Sequence, residues 1–113
     1  MDVLAMPFGK IYDLLVQKVV RKCGDGADVD RATLWLTGYA KEALDEAKAS
    51  PVSYGDFFRQ APEPNPLRLE IVGKVCGVSV ADIEDGLWRD VRTLDLIVDR
   101  LAKGRRLDAI LPH

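Results

Sequence analysis

Apolar residues recur every three or four positions along most of this chain, which is the spacing of one face of an α-helix. The clearest run extends from Phe8 to Val20, and charged and amide side chains fill the positions between its apolar residues. Pro7 stands where the first helical residue belongs, and Gly24 follows the end of the run. The pattern predicts an amphipathic helix near the amino terminus.

Three further helices are predicted before residue 62. One follows the Gly24-Asp25-Gly26 turn and stops at Gly38, and an alanine-rich one ends before Pro51. Ser53-x-x-Asp56 has the pattern of a capping box, in which a serine side chain accepts a hydrogen bond from the backbone of the first turn. That motif predicts the start of the third helix.

Two more helix starts are predicted beyond the proline-rich loop. Asn65 followed by Pro66 predicts a helix that ends at Gly77. Ser79-x-x-Asp82 repeats the capping-box pattern and predicts another start. No segment shows the alternating pattern of a β-strand, so no sheet is expected.

The last long helix carries an apolar seam at spacings of four, three, four and three, formed by Leu87, Val91, Leu94, Val98 and Leu101. This is the a/d spacing of a coiled coil. The seam fits a homodimer interface and packing against the amino-terminal helix equally well, because so short a seam does not specify a dimer. The whole pattern predicts an all-α fold, a compact bundle of about five to seven helices with a long carboxy-terminal helix, in one domain over residues 1–113.

Composition removes several classes of function. The 113 residues include 16 basic and 18 acidic side chains, for a net charge of −2, so no excess of positive charge attracts nucleic acid or an anionic membrane. The only histidine is His113, so imidazole catalysis and histidine-containing metal sites lack their central residue. Cys23 and Cys76 match no metal or redox spacing, and we expect both to be reduced and buried.

These observations predict no cofactor and no metal, and they leave an enzyme possible only through carboxylates. The chain has no pattern of a signal peptide and no apolar run long enough to span a bilayer. We therefore expect a cytoplasmic protein that does not enter the membrane.

One segment has the spacing of a helix-turn-helix. Gly73, Gly77 and Ile83 stand at the required intervals, and residues 80–88 would then form the recognition helix. Three carboxylates within that helix would face the DNA phosphates, and the basic Arg105-Arg106 pair is ordinary for a helix end. We expect the motif to be structural and regard nucleic-acid binding as the weaker alternative.

Four aromatic residues exceed what the core stripes require: Trp35, Tyr39, Tyr54 and Phe58. Core packing is the default for each of them, but one or more could line a pocket or an interface. If the segments 35–39 and 54–62 formed a cleft, the protein would be a small-molecule binder or a carboxylate-based enzyme.

Five short motifs follow one another along the chain. They are Trp35-Leu36-Thr37-Gly38-Tyr39, Phe57-Phe58-x-Gln60-Ala61-Pro62 with Asn65-Pro66, Val75-Cys76-Gly77-Val78 with Ile83-Glu84-Asp85, Leu94-Asp95, and Leu101-Ala102-Lys103-Gly104 with Ile110-Leu111. Together they resemble a family of short bacterial proteins catalogued as domain of unknown function 2200. The resemblance implies a helical cytoplasmic protein and assigns no activity, so it transfers no catalytic residue.

The chain departs from that family's pattern in three places. An early His-Arg pair is missing, Gly86 stands where many members have proline, and the turn 23–26 replaces a Gly-Arg-Thr stretch. From the residues themselves, the seam and the surplus aromatics favour a non-enzymatic interaction or regulatory module. Its partner would be a second copy of the chain or another protein.

Overall fold

Helices dominate the computed structural model, which describes residues 2–75 and 77–112. Within that part the α-helices are α1 (Phe8–Arg21), α2 (Ala27–Thr37), α3 (Lys41–Ala49), α4 (Tyr54–Arg59), α5 (Gly86–Ala102) and α6 (Leu107–Ile110). Short 3-10 helices span Val3–Ala5, Pro66–Glu70 and Val80–Asp82. The predicted helical fold with a long carboxy-terminal helix is confirmed. Cys23, which was expected to be buried, is exposed. The expectations for Cys76 and His113 lie outside the described residues.

Several predicted helix boundaries are confirmed by their hydrogen bonds. The Ser53 hydroxyl accepts from the Asp56 amide at 3.1 Å at the start of α4. The Asn65 side chain accepts from the Leu67 amide at 2.9 Å at the start of a 3-10 turn. Gly38 ends α2 in the left-handed conformation, with φ of 79°, where a side chain would be strained.

The segment between Pro66 and Asp85 differs from the prediction. The expected helix to Gly77 stops as a 3-10 turn at Glu70, and a small antiparallel hairpin follows, with β1 (Lys74–Val75) paired to β2 (Val78–Ser79). The expectation of no strands was therefore wrong. Two-residue strands are too short for an alternating pattern to be visible in the sequence.

The weaker alternative for this segment, a helix-turn-helix, is not formed in the described residues. Residues 80–82 form a single 3-10 turn, and the proposed recognition helix is not formed. Gly73 and Gly77 have φ of 143° and 78°, values that favour glycine, and the Gly73 carbonyl accepts from the Val80 amide at 2.9 Å. The glycine spacing therefore reflects the hairpin, and the alternative of nucleic-acid binding loses its structural basis.

The core lies where α5 packs against α1, α2 and α4. At the amino-terminal end of α1, the Phe8 ring stacks on the Phe57 ring with centroids 3.9 Å apart. The Phe8 and Tyr54 centroids lie 5.8 Å apart, so aromatic rings join α1 to α4. None of the helices in the described residues combines the length and the apolar character needed to cross a membrane.

Candidate functional site

The apolar seam of α5 lies inside the protein. Val91, Leu94, Val98 and Leu101 are buried, and Leu87 is partly buried against the core. Of the two interpretations that the sequence left open, packing within one chain is the one seen, since α5 packs along α1. A partner could not reach the buried seam residues in the folded chain without displacing the helices that pack on α5.

The four surplus aromatic residues divide into two pairs. Tyr54 and Phe58 are buried in the core, with ring centroids 5.1 Å apart in an edge-on arrangement. Trp35 and Tyr39 pack against the core but remain partly exposed. Only the second pair can therefore contact a ligand or partner directly.

The two segments of the cleft hypothesis meet where Tyr39 packs on Phe57, and the loop that follows α4 also returns to the end of α2. The Glu63 amide donates to the Thr37 carbonyl and the Asn65 amide donates to the Leu36 carbonyl, both at 3.1 Å. Gly38 allows this approach, because a Cβ atom there would lie 2.6 Å from the Glu63 carbonyl oxygen. A depression of about 330 Å³ between Trp35 and Pro66 marks the junction.

The first cleft, which we call the Tyr39 cleft, lies between α3 and α4 and has a volume of about 280 Å³. The Tyr39 ring stacks on Phe57 with centroids 4.4 Å apart, and its hydroxyl donates to the Phe57 carbonyl at 2.6 Å. Burial raises the pKa of this hydroxyl. The cleft is lined by Tyr39, Ala43, Glu46, Ala47, Ser50, Val52, Phe57 and Gln60.

The second cleft, which we call the Trp35 groove, lies between α2 and α6 and has a volume of about 350 Å³. Trp35, Leu107 and Leu111 supply its apolar surface. Its rim is charged, and the Arg31 guanidinium pairs with the Asp28 carboxylate at 2.5 Å. The groove is therefore an apolar slot with acidic and basic groups at its edge.

A partly buried polar cluster joins α1, α2 and α3. The Tyr12 hydroxyl donates to Asp30 at 2.5 Å, and the Lys48 ammonium donates to the same carboxylate at 3.1 Å. The ammonium also lies 5.0 Å from the centre of the Tyr12 ring. Burial, followed by the contact with Asp30, raises the pKa of Tyr12 far above its ordinary value. The cluster is an interhelical link and has little free chemistry.

A second buried hydroxyl lies near α5. Burial, followed by the charge of Asp95, raises the pKa of Tyr54, and its hydroxyl makes no hydrogen bond within the described residues. Burial also raises the pKa of Asp95, against the opposing effect of Arg92 and Lys18. Tyr54 lies in the packed interior and Asp95 is partly buried, and neither lines either cleft.

Sequence reasoning missed several residues of both clefts. Glu46 was not considered and Gln60 appeared only within a family motif, and no sequence signal could have assigned Glu46 to a cleft, because it is left unpaired only by the folded arrangement of Lys41 and Lys48. Leu107 and Leu111 stand with Ile110 in a short apolar tail, and nothing in their spacing marked them as groove residues. Ile110 within that tail is buried, whereas Leu107 and Leu111 line the groove.

These features define a small helical protein whose α5 seam is largely buried in its own core and whose described surface carries several shallow depressions, of which the Tyr39 cleft and the Trp35 groove are the candidate sites. The chain belongs to the family described as an uncharacterized protein conserved in bacteria, DUF2200, which it matches over residues 2–112. The resemblance drawn from the five motifs is thereby confirmed.

A solved structure supports the same fold. The chain is similar to the crystal structure of the uncharacterized protein SP1917, with a TM-score of 0.92 and 42% sequence identity. The match covers 97% of this chain and 92% of that one. No curated protein matches the chain.

Proposed function

We propose that this protein is a non-enzymatic interaction module that binds an apolar segment of another protein in the Trp35 groove. The observation that carries the proposal is the partly exposed Trp35 ring, flanked by Leu107 and Leu111. Tryptophan and arginine are the residues most often found at the energetic centre of protein interfaces, and Arg31 lies at the edge of this groove.

The chemistry of the groove favours a short partner segment with apolar side chains. Its apolar floor would receive those side chains, and the charged rim would orient them.

The cytoplasm is the compartment we propose, since the exposed Cys23 thiol is unpaired.

Site-specific photocrosslinking in cells tests this function. A photoreactive phenylalanine analogue at Leu111 should give a discrete crosslinked product, and Arg31→Glu should weaken that product because the substitution reverses a rim charge. The same analogue at Leu14, which is 57% exposed on α1, is the matched control. Leu14 should give no comparable product.

The composition of the crosslinked product shows which partner occupies the groove. A product that contains a second protein and depends on Arg31 supports the module, and a product that contains two copies of this chain supports its self-associating form. The proposal fails if Leu111 and Leu14 give the same products, or if Leu111 gives none.

A further inference from the structure

The Tyr39 cleft has a rigid aromatic wall. The Tyr39 ring is held on one face by Phe57, and its hydroxyl is tied to the Phe57 carbonyl at 2.6 Å. Phe57 is itself stacked on Phe8 in the core. A ring fixed in this way loses little further conformational entropy when a ligand packs against it.

Charges on α3 are divided between two sides of the helix. Lys41 pairs with Asp45 at 2.9 Å, and Lys48 pairs with Asp30 at 3.1 Å. Lys48 also packs over the Tyr12 ring, so both lysines of α3 are engaged on the side away from the cleft. Neither ammonium group is available to neutralise the cleft.

The carboxylates on the other side of α3 have no such partners. Within residues 2–75 and 77–112, Glu42 and Glu46 form no ion pair and no side-chain hydrogen bond. They lie one helical turn apart, and Glu46 lines the cleft. Gln60, which directly follows α4, also lines the cleft. Its side chain makes no hydrogen bond within the described residues.

We propose that the Tyr39 cleft binds a small organic ammonium ion. The Glu46 carboxylate supplies the opposite charge, and the Gln60 amide oxygen accepts an N–H of the ligand. The Tyr39 ring packs against the ligand's apolar body or, for a short ligand, against the ammonium itself. An anion is disfavoured because no basic side chain lines the cleft. The volume of about 280 Å³ limits the ligand to a small molecule or a single side chain.

Titration followed by amide NMR tests the proposal. The probe is phenethylammonium, and its uncharged counterpart, 2-phenylethanol, has nearly the same shape. We expect phenethylammonium to shift the amide signals of residues around Tyr39, Glu46 and Gln60, with a dissociation constant on the order of 1 mM. The alcohol should bind several-fold more weakly, because the charge interaction is lost.

Two glutamine substitutions on α3 provide a matched pair. Glu46→Gln removes the charge in the cleft and should weaken phenethylammonium binding by about threefold to fivefold. Glu42→Gln removes the same charge one turn away, outside the lining, and should change binding by less than about twofold. Both positions are exposed, so both variants should retain the wild-type spectrum elsewhere.

The results decide the matter in either direction. Equal binding of the alcohol, equal effects of the two substitutions, or signal changes outside the cleft would overturn the proposal, as would the absence of any change.

Titration with Nα-acetyl-lysine amide distinguishes the source of the cation. Tighter binding of the lysine compound supports a protein side chain as the ligand, and tighter binding of phenethylammonium supports a free amine. This site is separate from the Trp35 groove, so failure here leaves that function standing.

Discussion

At the scale of single residues, the burial of Tyr54 predicts how the free energy of unfolding depends on pH. Burial raises the pKa of Tyr54 well above 10.0, so the folded chain keeps its proton where the unfolded chain loses it. Its contribution to stability is complete below about pH 10 and is lost progressively as the pH rises above that value. Tyr54→Phe should make the alkaline loss of unfolding free energy less steep, by about 1.4 kcal/mol per pH unit.

Urea unfolding of both proteins at neutral pH and between about pH 10 and pH 12 measures this difference. At neutral pH the substitution should cost little, because the Tyr54 hydroxyl makes no hydrogen bond within the described residues. Tyr12→Phe is the contrasting variant, since its hydroxyl is bonded to Asp30. Parallel alkaline slopes for wild type and Tyr54→Phe would contradict the burial of this hydroxyl.

Two glycines in first helical turns differ in the room around them. A methyl group at Gly9 would overlap the Lys48 carbonyl oxygen, where α1 and α3 touch, whereas nothing lies within 4 Å of a methyl group at Gly86. Gly9→Ala should therefore destabilise the fold by about 1–3 kcal/mol. Gly86→Ala should be neutral or stabilise it by up to about 1 kcal/mol. Thermal and urea unfolding would measure both, and equal effects would count against the close approach of the two helices.

At the scale of elements, the residue that caps α5 differs between the sequence prediction and the structure. The sequence assigned a cap to Ser79, but Ser79 makes no capping bond with its side chain, and Asp85 accepts from the Leu87 and Trp88 amides at 2.9 and 3.2 Å. Asp85→Ala should cost about 1 kcal/mol of unfolding free energy, and Ser79→Ala should cost much less. Denaturant titration compares the two, and a larger loss at Ser79 would restore the original assignment.

The same element shows how far the sequence reaches. Periodicity identified the five seam residues because a long helix repeats its pattern several times, and Ser53 was found because a capping box is local. The hairpin at Val75 and Val78 was missed because two-residue strands depend on contacts with α5 and not on a pattern of their own. The seam's partner was left open for a related reason, since one apolar stripe does not specify which other stripe covers it.

The clefts follow the same rule at the scale of the whole molecule. The cleft hypothesis joined segments 35–39 and 54–62, and in the structure the Tyr39 ring stacks on Phe57 of α4. The sequence could not indicate that Glu46 would be unpaired, because that depends on Lys41 and Lys48 forming ion pairs elsewhere. Which carboxylates remain without an ion-pair partner is decided by the tertiary structure and not by the local sequence.

Burial of the α5 seam within one chain predicts how the whole molecule unfolds. Because Val91, Leu94 and Val98 are already buried within one chain, in which α5 packs against α1, α2 and α4, folding should not require a second copy. The midpoint of urea unfolding should therefore stay constant over about a hundredfold range of protein concentration, since linkage to dimerisation would raise it. Leu94→Ala should lower that midpoint equally at every concentration, through the cavity it leaves, at a cost of about 2–5 kcal/mol. A midpoint that rises with concentration in the wild type but not in Leu94→Ala would instead place the seam between two chains.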